Sequence, residues 1–262
     1  MTGERTLEAP DHAKAEDRGS REDLFFWLAA ILHLLPGALL MGGVLVLVPP
    51  LIEHGVPYET AQIASALLTM VPFMFGAMLL YGRIRHGHFT LRGVVRFRRH
   101  MPLWQYAALY VPMLAAAFAI LFATMPLSEF LAERVFFWLP PYLLPSWETF
   151  EMGAVAPGLV LFALLAKLIF DGLANPIFEE MYFRGFLLPR MSYLGVFAPA
   201  AYALFFAVSH FWQPYNWPLI FLLVLINSYV VWWKRNIYIA MLLHCSANTT
   251  GAVLALLAFF SG

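Results

Sequence analysis

Two adjacent glutamates and an arginine form the most reactive pattern in the sequence, Glu179-Glu180-Met-Tyr-Phe-Arg184. On a helix, Glu180 and Arg184 lie one turn apart with the acid first, which is the favourable order for an ion pair. Glu179 points about 100° away and lacks such a partner. A carboxylate that no cation neutralises can act as a general base in a dry site. The pattern therefore predicts Glu179 as the reactive carboxylate and Glu180 as the one that Arg184 neutralises.

The segment 171–190 that carries this pattern has five acidic or basic residues in twenty positions and is apolar on both flanks. Its charges allow an alternative interpretation as a solvated cytoplasmic connector. Two carboxylates among so many aromatic residues argue against that alternative, because a solvated loop does not usually display them. Asn175 and Pro176 can end one helix and begin the next, since the residue before proline avoids the α region. This pair can therefore mark the end of one helix and the start of the next.

Two histidines, His210 and His244, are the only ones in the downstream apolar segments. Asn248 follows His244 by four residues and so lies on the same helical face. Polar side chains are costly inside a membrane and usually mark an active site or an ion path there. His33, alone in the first apolar segment, is more simply a packed core histidine. We expect His210, His244, Asn248 and Glu179 to converge.

The composition indicates that most of the chain lies in a membrane rather than in water. Hydrophobic residues make up 61% of the 262-residue chain and charged residues 12%, whereas soluble domains average about 25% charged. The 16 acids and 16 bases cancel, so no basic surface favours nucleic acid. Cys245 is the single cysteine, which excludes a disulfide scaffold and a zinc site built on cysteine pairs.

Hydropathy predicts an all-α, polytopic transmembrane bundle of about six to eight helices. A helix needs about 20 apolar residues to cross the hydrocarbon, and no alternating ten-residue pattern suggests a barrel. The predicted spans are residues 24–50, with an interruption at Pro36 and Gly37, and 60–82, 103–125, 154–174, 193–211, 216–233 and 237–260.

The chain divides into three parts by composition. Residues 1–23 are polar and of mixed charge, which predicts a disordered cytoplasmic tail and no secretory signal. Residues 24–153 contain apolar spans without a reactive motif. Residues 154–262 hold all the motifs and form the expected catalytic core, in one membrane domain with the preceding spans.

Basic residues predict the topology. Residues 82–102 contain six arginines and no acid, so the positive-inside rule places them in the cytoplasm, and the N-terminus with them. The aromatic pair Trp232-Trp233 precedes Lys234 and Arg235, as expected of a cytoplasmic anchor. The segment 126–153 is predicted on the other side because its charges are mostly acidic, namely Glu129, Glu133, Glu148 and Glu151 against Arg134.

Helix lengths raise a difficulty for the expected convergence. If residues 193–211 crossed the membrane fully, His210 would lie about 25 Å from the start of its span, whereas His244 would lie about 13 Å beyond Arg235. The two histidines meet only if the segment 193–211 starts outside the bilayer, tilts strongly or is partly interfacial.

In their order and spacing, the motifs resemble those of the CAAX protease and bacteriocin-processing family of intramembrane endopeptidases. The first motif is Glu179-Glu180 with Arg184 and the following glycine, the second is Phe206 with His210, and the third is His244 with Asn248. The resemblance covers roughly residues 155–260.

This resemblance implies hydrolysis of a peptide bond within the membrane, at a site reached from the cytoplasmic side. Glu179 and His210 would activate water, and His244 with Asn248 would stabilise the oxyanion, an effect worth a few kcal/mol in a dry site. Glu180 and Arg184 would support them. The implied partner is a hydrophobic or prenylated peptide beside the lipid bilayer.

Metal dependence and catalysis itself remain open at this point. Glu179, His210 and His244 form a candidate zinc ligand set with an open position for water. Asn248 is a poor zinc ligand and a good oxyanion donor, which favours a metal-free site, so the expected cofactor is none or zinc. A non-catalytic immunity factor, peptide-binding scaffold or transporter of the same fold is the alternative function.

Other intramembrane proteases fit the sequence poorly. No serine stands in a Gly-x-Ser-Gly setting within the spans, which leaves a rhomboid-like enzyme without its nucleophile. Aspartate catalysis needs two aspartates, and Asp171 is the only one beyond residue 23.

Overall fold

The computed structural model describes residues 23–145 and 155–261. Within them the chain is helical and no strand is present, so the prediction of an all-α bundle is confirmed. The predicted tail, apart from Asp23, lies outside the described residues, as do Glu148 and Glu151 of the predicted acidic segment.

Seven helices in the described residues are long and apolar enough to cross a membrane, and the chain is accordingly an integral membrane protein. Each predicted span corresponds to one of them. The helices are α1 (Phe26–Glu53), α2 (Tyr58–His86), α3 (Leu103–Arg134), α4 (Pro157–Arg190), α5 (Ser192–Ser209), α6 (Pro214–Lys234) and α7 (Tyr238–Phe260).

Successive spans alternate in direction, which gives the bundle two ends. We call one end the arginine face; it carries the connectors 87–102, 191 and 235–237. The opposite face carries the connectors 54–57 and 210–213, together with the described residues 135–145 and 155–156 between α3 and α4.

The connectors of each face bind to one another. On the arginine face, the Ile237 N–H donates to Phe97 O at 2.7 Å, and the Arg99 N–H donates to Arg235 O at 2.9 Å. On the opposite face, the Tyr215 hydroxyl donates to Leu143 O at 3.1 Å.

Helix α1 is continuous, so the predicted interruption at Pro36 and Gly37 is wrong. Proline has no N–H and leaves the carbonyl four residues earlier without its helical donor. That carbonyl belongs to Leu32, and the Tyr182 hydroxyl of α4 donates to it at 2.9 Å. A neighbouring helix thus supplies the hydrogen bond that Pro36 removes, and α1 continues.

Helix α4 runs through Asn175 and Pro176, where a π-helical segment ends and a regular α-helical stretch, Asn175–Glu179, begins with the proline in its first turn. The turn before the proline widens into a π-helical segment, Phe170–Ala174, in which the Asn175 N–H bonds to Phe170 O five residues back. A wider turn relieves the clash between the proline ring and the preceding turn. A second π-helical segment, Glu180–Leu187, follows the short α-helical stretch that ends at Glu179.

Candidate active site

Glu179, His210, His244 and Asn248 line one cavity of about 480 Å³. They come from α4, from the connector after α5, and from α7. The structure therefore brings together all four residues that the sequence selects as catalytic candidates.

The short regular part of α5 resolves the length difficulty. The span begins with a tight 3₁₀ segment, Ser192–Phe197, and only Ala198–Ser209 is α-helical, which is about 18 Å at 1.5 Å per residue. His210 therefore lies within the bundle, at the end of a shortened helix. The Trp217 indole N–H donates to His210 O at 3.1 Å and holds that end in place.

Helix α1 also approaches this point closely. A Cβ on Gly37 would lie 1.8 Å from Ser209 O, the backbone oxygen immediately before His210. Only glycine allows α1 to pack this closely against the end of α5.

Glu179 is buried and has no arginine partner among the described contacts. The Asn175 amide donates to its Oε1 at 2.9 Å, and its Oε2 lies 4.0 Å from His244 Nε2. The sequence analysis did not select Asn175 as a site residue, although it precedes Glu179 by four residues and so shares its helical face. The hydrogen bond from Asn175 holds Oε1 in place, and Oε2 faces His244.

Glu180 and Arg184 form the buried ion pair that their spacing predicts. The Arg184 guanidinium also lies over the rings of Tyr202 and Phe206, 5.2 and 5.9 Å from their centroids. His244 donates from Nδ1 to Glu180 Oε1 at 3.0 Å. Glu180 is thus shared between an arginine and a histidine, and it is structurally distinct from its neighbour.

The two histidines use the same ring nitrogen for their fixed contacts. His210 Nδ1 donates to Phe206 O at 2.8 Å, and His244 Nδ1 donates to Glu180. Carbonyl and carboxylate oxygens accept only, so each Nδ1 carries a proton. In a neutral ring Nε2 then has the lone pair, and it can accept a proton from water.

Asn248 has a structural contact that the sequence did not predict. Its Nδ2 donates to Asp171 O at 2.9 Å. That carbonyl lacks a helical donor, because the Asn175 N–H bonds to Phe170 and Pro176 has none. The amide of Asn248 therefore satisfies a carbonyl that the π-helical segment exposes, and one N–H of the amide remains for a ligand.

Further polar residues that the sequence analysis did not select as site residues line the cavity. Lys167 of α4 binds Glu59 of α2 at 2.7 Å and Asp171 at 3.4 Å. Glu59 is 108 residues away from Lys167, and no spacing rule connects them. Asn227 of α6 is buried, and its Oδ1 has no hydrogen-bond partner among the described residues.

The candidate zinc ligand set is not assembled in the described structure. No group of three or more His, Cys, Asp or Glu side chains in residues 23–145 and 155–261 is arranged to hold a metal ion. Glu179, His210 and His244 share the cavity but do not form such a group.

Comparison with known families identifies a match in the C-terminal half of the chain. Residues 160–250 match the family described as type II CAAX prenyl endopeptidase Rce1-like. The matched range contains all three motifs. No curated protein and no solved structure gave a significant match.

Proposed function

Since residues 160–250 form an Rce1-like domain of the CAAX endopeptidase family, we propose that the protein is an intramembrane endopeptidase that cleaves a hydrophobic or lipid-modified peptide. One observation carries this proposal. The carboxylate that no arginine neutralises, both histidines and an asparagine amide line a single cavity within the bundle.

Glu179 and His210 are proposed to activate the attacking water. Water donates one proton to Glu179 as its oxygen bonds to the scissile carbonyl carbon, while His210 Nε2 accepts the other O–H in a hydrogen bond. Asn175 holds Glu179 Oε1 at 2.9 Å and thereby orients the carboxylate. The carbonyl π electrons move to oxygen, and a tetrahedral oxyanion forms.

Collapse of this intermediate breaks the carbon–nitrogen bond. The leaving amine takes the proton held by Glu179, and the products are a carboxylic acid and an amine. Asn248 contributes its remaining amide N–H to the oxyanion, and a protonated His244 ring contributes its Nε2–H. The Glu180 carboxylate on the other side of that ring balances the imidazolium charge.

We further propose that the N-terminus and the arginine face lie in the cytoplasm. The basic residues concentrate at that end of the bundle, which is the distribution that the positive-inside rule describes.

The test is peptide cleavage by the purified full chain in detergent. A farnesylated CAAX peptide and a hydrophobic peptide without a lipid serve as reporters, with products identified by mass spectrometry. We expect cleavage of at least one reporter by the wild type and none by Glu179→Gln. Equal cleavage by both proteins would remove Glu179 from the mechanism. Wild-type binding without cleavage would instead favour a non-catalytic scaffold.

A further inference from the structure

Asn227 of α6 is the one asparagine whose side chain makes no hydrogen bond among the described residues. The other four each donate an amide N–H, namely Asn175, Asn216, Asn236 and Asn248. A buried amide without a partner costs free energy, because it gives up its hydrogen bonds to water and gains none. Within an apolar span, such a side chain usually marks a functional site.

The Asn227 side chain belongs to the cavity wall. It is 6% exposed, and it lines the same cavity as the proposed catalytic residues. The other lining residues of α6 are apolar, namely Ile220, Leu223, Val224 and Ile226. The first three of these share a helical face with Asn227, which lies seven, four and three residues after them. Asn227 is therefore the polar position on the apolar wall that α6 contributes.

Asn227 lies at about the depth of His244 in the bundle. It is seven residues from the end of α6 at the arginine face, and His244 is six residues from the start of α7 at the same face. Arg184 is six residues from the end of α4 there. At 1.5 Å per residue, all three lie about 9–11 Å from that face. Helix α6 thus places an amide at the level of the ion pair between Glu180 and Arg184.

The chemistry of the amide indicates what binds beside it. Asparagine offers N–H donors and a carbonyl acceptor, and a peptide group offers the same two functions. A peptide that is extended for hydrolysis has no helical hydrogen bonds, so its main-chain N–H and C=O groups need partners in a site without bulk water. An isoprenoid or acyl chain has neither donor nor acceptor and would leave the amide without a partner.

From these observations we propose that Asn227 is a substrate-binding residue that hydrogen-bonds a main-chain peptide group of the substrate. This inference rests on the proposed function, which supplies the peptide. It assigns the part of the cavity beside Asn227 to the main chain of the substrate and not to a lipid chain. The amide is without a partner in the free protein, and the bound peptide supplies that partner.

Leucine at Asn227 should therefore affect stability and binding in opposite directions. Asn227→Leu removes a buried polar group that has no partner, so the Tm should stay the same or rise. The affinity for the peptide should fall by about 5-fold, because one hydrogen bond to the ligand is lost. Asn227→Ala removes the amide without adding bulk, and an equal loss of affinity in this variant excludes a steric effect of leucine.

The matched control is the same substitution at an asparagine whose hydrogen bonds are made within the protein. Asn236 donates to Arg99 O at 2.8 Å and to the Tyr106 hydroxyl at 2.9 Å, and it does not line the cavity. Asn236→Leu should lower the Tm and leave the peptide affinity of the folded protein unchanged. The two asparagines are thus expected to give opposite patterns.

Replacement of single peptide bonds in the ligand identifies the group that Asn227 binds. Affinity is measured by fluorescence anisotropy in detergent with the hydrophobic reporter peptide that carries no lipid, in a Glu179→Gln background so that the peptide stays intact. In a series of reporters, one peptide bond at a time is replaced by an ester, which lacks the N–H and has a weaker carbonyl acceptor.

We expect an ester at one position to raise the Kd by about 5-fold when Asn227 is present. The same ester should change the Kd by less than about 2-fold in Glu179→Gln/Asn227→Leu. An identical ester profile in the two proteins would overturn the proposal. A fall in Tm for Asn227→Leu as large as that for Asn236→Leu, with unchanged Kd, would instead assign Asn227 to helix packing.

These measurements separate this proposal from the proposed function. Peptide binding that depends on Asn227, in a wild type that cleaves no reporter, would contradict the proposed function alone. Cleavage by the wild type, with a peptide Kd that Asn227→Leu and Asn227→Ala do not change, would contradict the role of Asn227 alone.

Discussion

His244 Nδ1 lies 3.0 Å from Glu180 Oε1, while the other nitrogen of the same ring lies 4.0 Å from Glu179 Oε2. The imidazole is therefore placed between two glutamates that are adjacent in sequence. One glutamate is occupied by Arg184 and by the histidine, and the other has an oxygen toward the cavity. We therefore expect substitutions of the two glutamates to have different effects.

Replacing each glutamate with glutamine in turn should show that Glu179 is needed for cleavage and Glu180 for stability. Glu180→Gln leaves the Arg184 guanidinium buried without its carboxylate, which should lower the unfolding free energy by about 3–5 kcal/mol. Glu179→Gln removes no ion pair with arginine and should abolish cleavage while the fold persists. Thermal unfolding in detergent and peptide cleavage measure the two effects. A Glu179→Gln protein less stable than Glu180→Gln would contradict this division.

Asparagine at His210 tests the role of Nε2. The Asn side chain can keep a donor near the position of Nδ1, and hence the bond to Phe206 O, but it lacks the Nε2 lone pair. We expect His210→Asn to fold and to lose at least about 10²-fold in kcat. His33→Asn is the matched control, because His33 Nδ1 makes the same type of contact, with Ala29 O at 2.6 Å, away from the cavity lining.

The control should retain its activity per folded molecule. If His210→Asn cleaved the peptide as fast as His33→Asn, Nε2 of His210 would have no part in water activation. Size-exclusion profiles of both variants exclude gross misfolding as the cause of any loss.

The sequence predicted the architecture well because a span is a local property. Twenty apolar residues specify a crossing helix whatever its neighbours are. The Glu180–Arg184 pair was also predictable, since helical spacing alone places the two side chains on one face. The lysine–glutamate contact between α4 and α2 was not predictable, because helix packing brings Lys167 and Glu59 together.

The π-helical segment of α4 shows how the helix passes Pro176 without ending there. The sequence signal at Asn175-Pro176 is that of a helix boundary. In the bundle, the widened turn and the Asn248 amide from α7 replace the missing hydrogen bonds. A contact from another helix, which rules based on neighbouring residues do not include, therefore determines whether the helix ends or continues.

Alanine at Asn248 should affect both rate and stability. Loss of one oxyanion donor should lower kcat by about 10²-fold, and loss of the bond to Asp171 O should lower stability by about 1 kcal/mol. Thr250→Ala, an exposed position on the same helix, is the control for both. A variant with reduced stability and unchanged kcat would assign Asn248 to the support of α4 alone.

Chelation tests whether a metal takes part. Because the described side chains do not assemble a metal-binding group, we expect cleavage to survive prolonged treatment with a membrane-permeant chelator. Metal content of the purified protein is measured in parallel by mass spectrometry. Loss of activity that zinc restores, with about one zinc per chain, would overturn this expectation and return Glu179, His210 and His244 to the role of ligands.

Two glycines of α1 provide a matched test of how closely α1 must approach the end of α5. A Cβ on Gly37 would lie 1.8 Å from the backbone oxygen of Ser209, whereas a Cβ on Gly42 would have no neighbour within 4 Å. Backbone cannot move aside as a flexible side chain does, so Gly37→Ala must displace α1 or the segment that carries His210. We expect Gly37→Ala to lower the Tm and to reduce kcat per folded molecule, because a misplacement of about 1 Å can lower a rate by about 10²-fold. Gly42→Ala should match or slightly exceed the wild type in stability, since alanine is the better helix former. Wild-type Tm and kcat in Gly37→Ala would show that the close approach of α1 does not position His210.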